Sequence, residues 1–260
     1  MSGARNQEEK ERRQRALLAL VRERGSVSVA TLPDLFGVSA ETTRRDLRAL
    51  ERRGAISRAY GSVRAVDASR FETDVDQRAD RDIAQKRRIA AAAASCLGDA
   101  QTIYIDEGHL PSLILEHLPS SQPLTIVTPS LTSAAAAAKL PHVTAIVLGG
   151  RVRPATLGVV DHFALDMLTQ LALDCAFIGT NGVGNDGALS TPDPAVAATK
   201  RAAISASRRA IFVGTHTKFG ASSFVRFAHL NQFCLAITGV ELSPSRARLI
   251  ERGDTPLHRV

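Results

Sequence analysis

The sequence predicts an α/β protein in two parts: a small helical unit with a terminal hairpin over residues 1–66, and a mainly parallel, Rossmann-like α/β unit over 83–260. Residues 67–82 are expected to link them. Three observations carry this prediction. Apolar residues recur at helical spacing on both sides of Gly37, which marks a pair of short helices. From Ile83 onward, short apolar runs alternate with helical segments, the pattern of a parallel sheet covered on both faces. Charge divides at the same place: residues 1–70 hold 15 Lys and Arg against 9 Asp and Glu, and residues 71–260 hold 18 against 17.

In chain order, Leu17, Leu18 and Val21 place an apolar stripe on a first helix. Val29, Leu32, Leu35 and Phe36 do the same for a second, and Gly37 permits the tight turn after it. Pro33 forfeits a backbone bond inside a helix, so an alternative start puts Thr31 at the N-cap with Pro33 and Asp34 in the first turn. Ser39 is a good N-cap for a third helix beginning near Ala40, and Glu41 complements its dipole. At about 100° per residue, Thr43, Leu47 and Leu50 share one arc, while Glu41, Arg44, Arg45, Arg48 and Arg52 share the opposite one. Gly54 supplies the stop, and residues 55–64 read as two short strands around a Tyr60-Gly61 turn.

An arginine-rich helix is usually a solvated face. Here nearly all of the net charge of +7 lies in the first quarter of the chain, as phosphate neutralisation requires and general solubility does not. The helix pair therefore reads as a device for double-stranded DNA. Ser39, Glu41, Thr42, Arg44, Arg45 and Arg48 on the helix, with Arg58 and Tyr60 on the hairpin, form the candidate contact set. Arg44, Arg45 or Arg48 would supply base or phosphate contacts, and Arg58 or Tyr60 backbone contacts.

The run Val27-Ser28-Val29, Phe36-Gly37-Val38-Ser39, Thr42-Thr43-Arg44-Arg45-Asp46-Leu47, Leu50-Glu51 and Gly54 closely resembles the winged helix-turn-helix of DeoR-type transcriptional regulators. Arg58, Gly61 and Ser62 resemble that family's Arg-x-His-Gly-Gly wing, with Tyr60 in place of His. Thr43 stands where Ile is usual, which is expected to weaken the packing under the recognition helix.

The segment FETDVDQRADRD, within residues 67–82, has dense alternating charge and no sustained apolar period, as a linker should. Beyond it, candidate strands are 102–105, 124–127, 145–148, 175–178, 210–213 and 234–238. Candidate helices are 83–97, 112–118, 131–138, 163–171 and 194–207, and the alanine runs 91–94 and 134–138 suit helices packed on a sheet. Ligands of such sheets bind beyond the carboxyl ends of the strands. The blocks there are Asp106-Glu107-Gly108-His109, Thr128-Pro129-Ser130, Gly149-Gly150-Arg151-Val152-Arg153, Gly179-Thr180-Asn181-Gly182 and Gly214-Thr215-His216-Thr217-Lys218. Each alone is ordinary turn chemistry. Together they offer backbone N–H groups, hydroxyls and two cations to one small anion, with Asp106, Gly108, His109, Thr128, Ser130, Gly149, Gly150, Arg153, Gly179 and Lys218 as the candidate effector residues.

This half resembles the sensor domain of the same family through Asp106 and Gly108, Leu124 to Thr128 with Ser130, Gly149-Gly150 with Arg153, Gly158, Asp174 with Ala176 to Gly179, Gly182, Lys200-Arg201-Ala202 and Thr217 to Gly220. The resemblance implies a fold similar to ribose-5-phosphate isomerase and CoA-transferases. It also implies a regulator, most often a repressor of sugar-catabolic genes, that answers to a phosphorylated sugar. Departures gather at the ligand loops: Glu107-Gly108-His109-Leu110 replaces Ser-Gly-Thr-Thr, Pro129 replaces Asn, and Thr215 stands near the usual Asp. Glu107 would repel a phosphate unless it points away or pairs with a cation. Lys200, on a helix, is as apt to reach the surface as the ligand.

The rival reading is an isomerase or transferase with a DNA-binding appendage, using Asp106, Glu107 and Lys218; a sequence-indifferent DNA compactor is the third. No catalytic triad, cofactor motif or metal-ligand spacing is recognisable, and Cys96, Cys175 and Cys234 read as reduced core thiols. No run of 18 apolar residues or secretory signal is seen, so a cytoplasmic protein without a membrane partner is expected. One DNA-binding module makes a small interface, so a homo-oligomer, dimer or tetramer, is expected to span repeated half-sites.

Overall fold

The computed structural model describes residues 2–52, 56–59, 61–65, 82–251, 253 and 255–260. The expected stop at Gly54, Tyr60 and all of the linker but Asp82 lie outside the described residues. The chain divides into two compact units, Met1–Thr73 and Asp74–Val260.

The first unit runs α1 (Ser2–Arg24), β1 (Ser26–Ser28), a 3-10 turn, α2 (Leu32–Phe36), α3 (Ala40–Arg52), β2 (Ile56–Ala59) and β3 (Ser62–Ala65). Leu17, Val21, Val27, Leu32, Leu47, Leu50, Ile56 and Val63 form its core, with Leu18, Val29 and Phe36 packed at the margin. Leu35, expected on the buried face, is instead exposed. A helix of barely more than one turn presents a single inward line, which Leu32 and Phe36 occupy at i and i+4. Gly37 adopts left-handed geometry, φ 61°, as the turn between α2 and α3 requires. Thr31 does stand at the N-cap of α2, but its hydroxyl donates back to the Ser28 carbonyl at 2.9 Å and caps no helix N–H. The hairpin is present, and β1 adds a third strand, in the order β1-β3-β2, by pairing Val27 with Val63.

The second unit is built on seven parallel strands in the order β15-β14-β12-β9-β4-β5-β6. These are β4 (Thr102–Ile105), β5 (Leu124–Thr128), β6 (Val143–Val147), β9 (Leu173–Ile178), β12 (Ser207–Val213), β14 (Leu235–Thr238) and β15 (Leu257–Arg259). Alternate residues sort to opposite faces, as the pleat demands. Tyr104, Ala176, Ile178 and Phe212 pack toward α7 (His162–Thr169), α8 (Pro194–Ser205) and α9 (Pro244–Glu251). Ile103, Ile105, Phe177, Ile211 and Ile237 pack toward α4 (Ile83–Ser95), α5 (His109–Leu113) and α6 (Leu131–Ala137). Sequence reading missed β15, α9, the hairpin of β7 (Arg151–Val152) with β8 (Val159–Val160), and the small sheet of β10 (Gly182–Val183), β11 (Ala188–Thr191) and β13 (Val225–His229). It also began α5 at Ser112, three residues late, with Pro111 sitting in the first turn. Of the cysteines, Cys175 is a core thiol, pushed up to about 12 by burial. Cys234, expected in the core, is exposed: it immediately precedes β14, with its N–H and its thiol both on the Ala210 carbonyl.

Glu241, just beyond β14, joins α4 through Arg88 at 2.6 Å and through Gln85. Burial raises its carboxyl, but the hydrogen bonds from Gln85, its own backbone and Arg88 prevail and hold it at about 2, against 4.5 for a free glutamate. A depressed folded pKa contributes stability that is whole above the unfolded value and lost as pH falls through the folded one. Between pH 4.5 and about 2 the wild-type melting temperature should therefore fall more steeply than that of Glu241→Gln. The difference should stay below about 1 kcal/mol because the pair is partly in water. Parallel melting curves across that window would count against the bond.

Candidate functional site

In the first unit, Ser39 caps α3 by accepting the Thr42 N–H at 3.1 Å, and Thr43 is buried with its hydroxyl on the Ser39 carbonyl. A polar residue under the helix thus satisfies its own hydroxyl locally, which limits the loss expected from replacing Ile. Glu41, Arg44, Arg45 and Arg48 are exposed, as the arc required. Glu41 lies 3.8 Å from Arg44 and 3.6 Å from Arg45, and the Arg45 side chain is 76% exposed, so these surface pairs restrain the guanidinium groups little. Arg58 is held differently: it pairs with Glu51 at the end of α3, its Nε donating at 2.9 Å. That hydrogen bond lowers the Glu51 carboxyl and raises the Arg58 guanidinium. The wing is therefore tied to the recognition helix by the arginine assigned to it.

Asp46, within the Thr42-to-Leu47 run, has a structural part that the charge pattern of the helix hides. It is buried and accepts from Arg13 Nε at 2.6 Å and Gln14 Nε2 at 2.8 Å, bracing α3 against α1. Its spacing held the signal, three residues after Thr43 and four before Leu50.

In the second unit four of the five expected blocks, those after β4, β5, β6 and β9, meet at the carboxyl edge of β4, β5 and β9. Asp106, at the end of β4, accepts N–H groups from Glu107 at 2.9 Å and Gly179 at 2.8 Å. Lys200 of α8 reaches this carboxylate and also donates to the Gly179 carbonyl at 3.2 Å. The side chains of Lys200 and Asp106 are 5% and 1% exposed, so of the two destinations left open for Lys200 the surface one is excluded. Glu107 meets Arg153, whose Nη1 lies 3.1 Å from Oε1, and accepts the Thr156 hydroxyl at 3.0 Å. Arg153 Nε donates to Asp193 at 3.2 Å, and Asp193 caps α8 through Ala195 N–H at 2.7 Å. Burial lowers the Arg153 pKa, with Asp193 opposing.

Thr128 and Ser130 turn inward: Thr128 Oγ1 accepts the Ser130 N–H, and Ser130 caps α6 through Ser133 N–H at 3.1 Å. The return strand of the hairpin docks beside them, Val159 N–H on the Pro129 carbonyl at 2.7 Å. Gly149 and Gly150 lead into the hairpin, Gly108 precedes α5, and His109, expected in a loop, opens that helix. Lys218 ends the 3-10 turn after β12, half-buried. Its loop is tied to Val183 through Gly220 and to Gln85 through His216. Tyr104 was also missed; its phenol is buried, with no hydrogen-bond partner among the described residues, and burial together with Asp106 and Glu107 pushes its pKa well up.

A capped helix bearing exposed arginines, braced by a wing, and followed by an α/β unit with a charged seat at its strand ends defines a DNA-binding transcriptional regulator. The DeoR-like helix-turn-helix domain matches residues 13–69, and the DeoR C terminal sensor domain matches residues 81–240. The chain belongs to the DeoR family. It is 34% identical to the HTH-type transcriptional regulator YgbI of Escherichia coli over 95% of this chain and 96% of that one. With the glycerol-3-phosphate regulon repressor of Escherichia coli it shares 32% identity over 84% and 86%. Among solved structures, ribose 5 phosphate isomerase A from Neisseria gonorrhoeae aligns over 53% of each chain, at 17% identity and a TM-score of 0.38. No described helix is long and apolar enough to cross a membrane.

Proposed function

We propose that this regulator represses carbohydrate-metabolism genes and that a phosphorylated sugar or related metabolite, bound at the carboxyl edge of β4, β5 and β9, changes its affinity for operator DNA. The observation that carries the reading is the pair of buried cations at that edge, Lys200 and Arg153, among backbone N–H groups and hydroxyls of several loops. The relative named for glycerol 3-phosphate supports the ligand class. Residues 1–66 act as the reader, 83–260 as sensor and self-association unit, and 67–82 as their connection. On this reading the seat binds its ligand without turning it over, with Asp106, a carboxylate an isomerase would use as base, engaged by Lys200. Asp106, Lys200 and Arg153 form its centre, with Thr128 and Ser130 shaping the neighbouring loop, and Lys218 serving its own loop.

On DNA, α3 enters the major groove. An arginine bidentate to guanine contributes about 1–3 kcal/mol at its own base pair, whereas one on phosphate weakens every sequence alike and lowers the salt slope by about 1. Fluorescence anisotropy on the promoter region beside the regulator's own gene, with Arg44→Ala and Arg48→Ala at several salt concentrations, separates the two roles. Unchanged affinity in both variants would overturn the assignment of α3. Titration of glycerol 3-phosphate into the wild-type complex tests the sensor.

A further inference from the structure

The donor set expected to clamp a ligand anion is already on a carboxylate of this chain. Arg153 Nη1 lies 3.1 and 3.4 Å from the two Glu107 oxygens, and the Thr156 hydroxyl donates to Oε2 at 3.0 Å while receiving Arg153 Nη1 at 3.1 Å. We propose that Glu107 is a built-in counter-anion of the sensor, which an incoming phosphate must displace from Arg153 and Thr156, so that this residue sets the affinity for phosphorylated effectors. The inference rests on the phosphorylated-ligand reading of the seat.

Three features support an exchange. A guanidinium and a hydroxyl suit a phosphate as well as a carboxylate, so one anion replaces another without leaving donors empty. Arg153 keeps its place when Glu107 leaves, because Asp193 holds the other side of the guanidinium and is itself fixed as the cap of α8. The Glu107 carboxylate lies over Gly158, where a Cβ would overlap Oε2, so the room it occupies exists only because that position has no side chain. Gly158 has ordinary backbone geometry, so the missing side chain serves the space and not the fold of the turn. Among the described residues, the three carboxylates of Asp106, Glu107 and Asp193 face the two cations Arg153 and Lys200. A phosphate added to that group without displacement would meet net repulsion.

The test is calorimetric titration of the full chain with inorganic phosphate, glycerol 3-phosphate and uncharged glycerol. Glu107→Gln keeps the shape and removes the charge; Gly158→Ala keeps the charge and drives the flexible end of Glu107 out of its seat. Both variants should bind the two phosphates at least about tenfold more tightly than wild type, the scale of a close charge pair removed, with glycerol unchanged. If wild type binds the phosphates and the folded variants bind no better, the counter-anion role is overturned while the phosphorylated-ligand reading stands. If wild type and both variants all fail to bind either phosphate, the ligand reading itself falls and this inference with it. Should one variant fail to fold, the other decides.

Discussion

Lys200→Met is expected to destabilise the α/β unit by about 3–5 kcal/mol, the usual cost of removing one partner from a buried ion pair. The methionine fills nearly the same volume, so the loss reports charge and hydrogen bonding more than packing. What remains is Asp106, 1% exposed, with the Glu107 and Gly179 N–H groups, among the described residues, to offset its charge. The Gly179 carbonyl loses a donor as well, and the Phe227 ring loses a cation 5.6 Å from its centre. Hydrogen exchange at Phe177 and Ile178, in the strand beside β4, reads the stability of this unit separately from the reader. Adding Asp106→Asn should restore at least half of the lost stability, because the stranded charge is then gone. A single variant within about 1 kcal/mol of wild type, or a double variant no better than the single, would show that the pair does not hold the strand ends together.

That ion pair also marks where sequence reading stopped. The strands were legible because buried parallel strands are unbroken apolar runs: residues 102–105 were bounded correctly, and those at 124 and 173 within two residues. The two-residue strands of the β7–β8 hairpin have no period to read, and they carry Arg153 and Thr156 into the seat. Lys200 sat on a helix where reaching the surface and being buried look alike in sequence, since only tertiary contact supplies its carboxylate. Glu107 is the intermediate case. Its conflict with a phosphate was visible from charge alone, as was the condition that would resolve it, a paired cation; which cation met that condition was not.

The reader unit shows the same limit on a smaller scale, and Asp46→Ala is expected to expose it. An acidic residue in an arginine-rich helix looks like part of a solvated face, yet Asp46 is buried between α1 and α3. Truncation removes two hydrogen bonds to a buried carboxylate, one from the Arg13 guanidinium and one from the Gln14 amide, at a cost of about 3 kcal/mol. Units of this size bury a small core, so such a loss removes much of their margin. Operator affinity should fall steeply on warming and approach the wild-type value in the cold, because α3 and its exposed arginines are intact whenever the unit is folded. Asp46→Asn should lie between the two, since its amide oxygen still accepts from Gln14 while Arg13, 20% exposed, turns to water. Anisotropy from low to physiological temperature, beside hydrogen exchange of α3, distinguishes this from a direct contact. A temperature-independent loss of affinity, with exchange unchanged, would place Asp46 at the DNA and dismiss the brace.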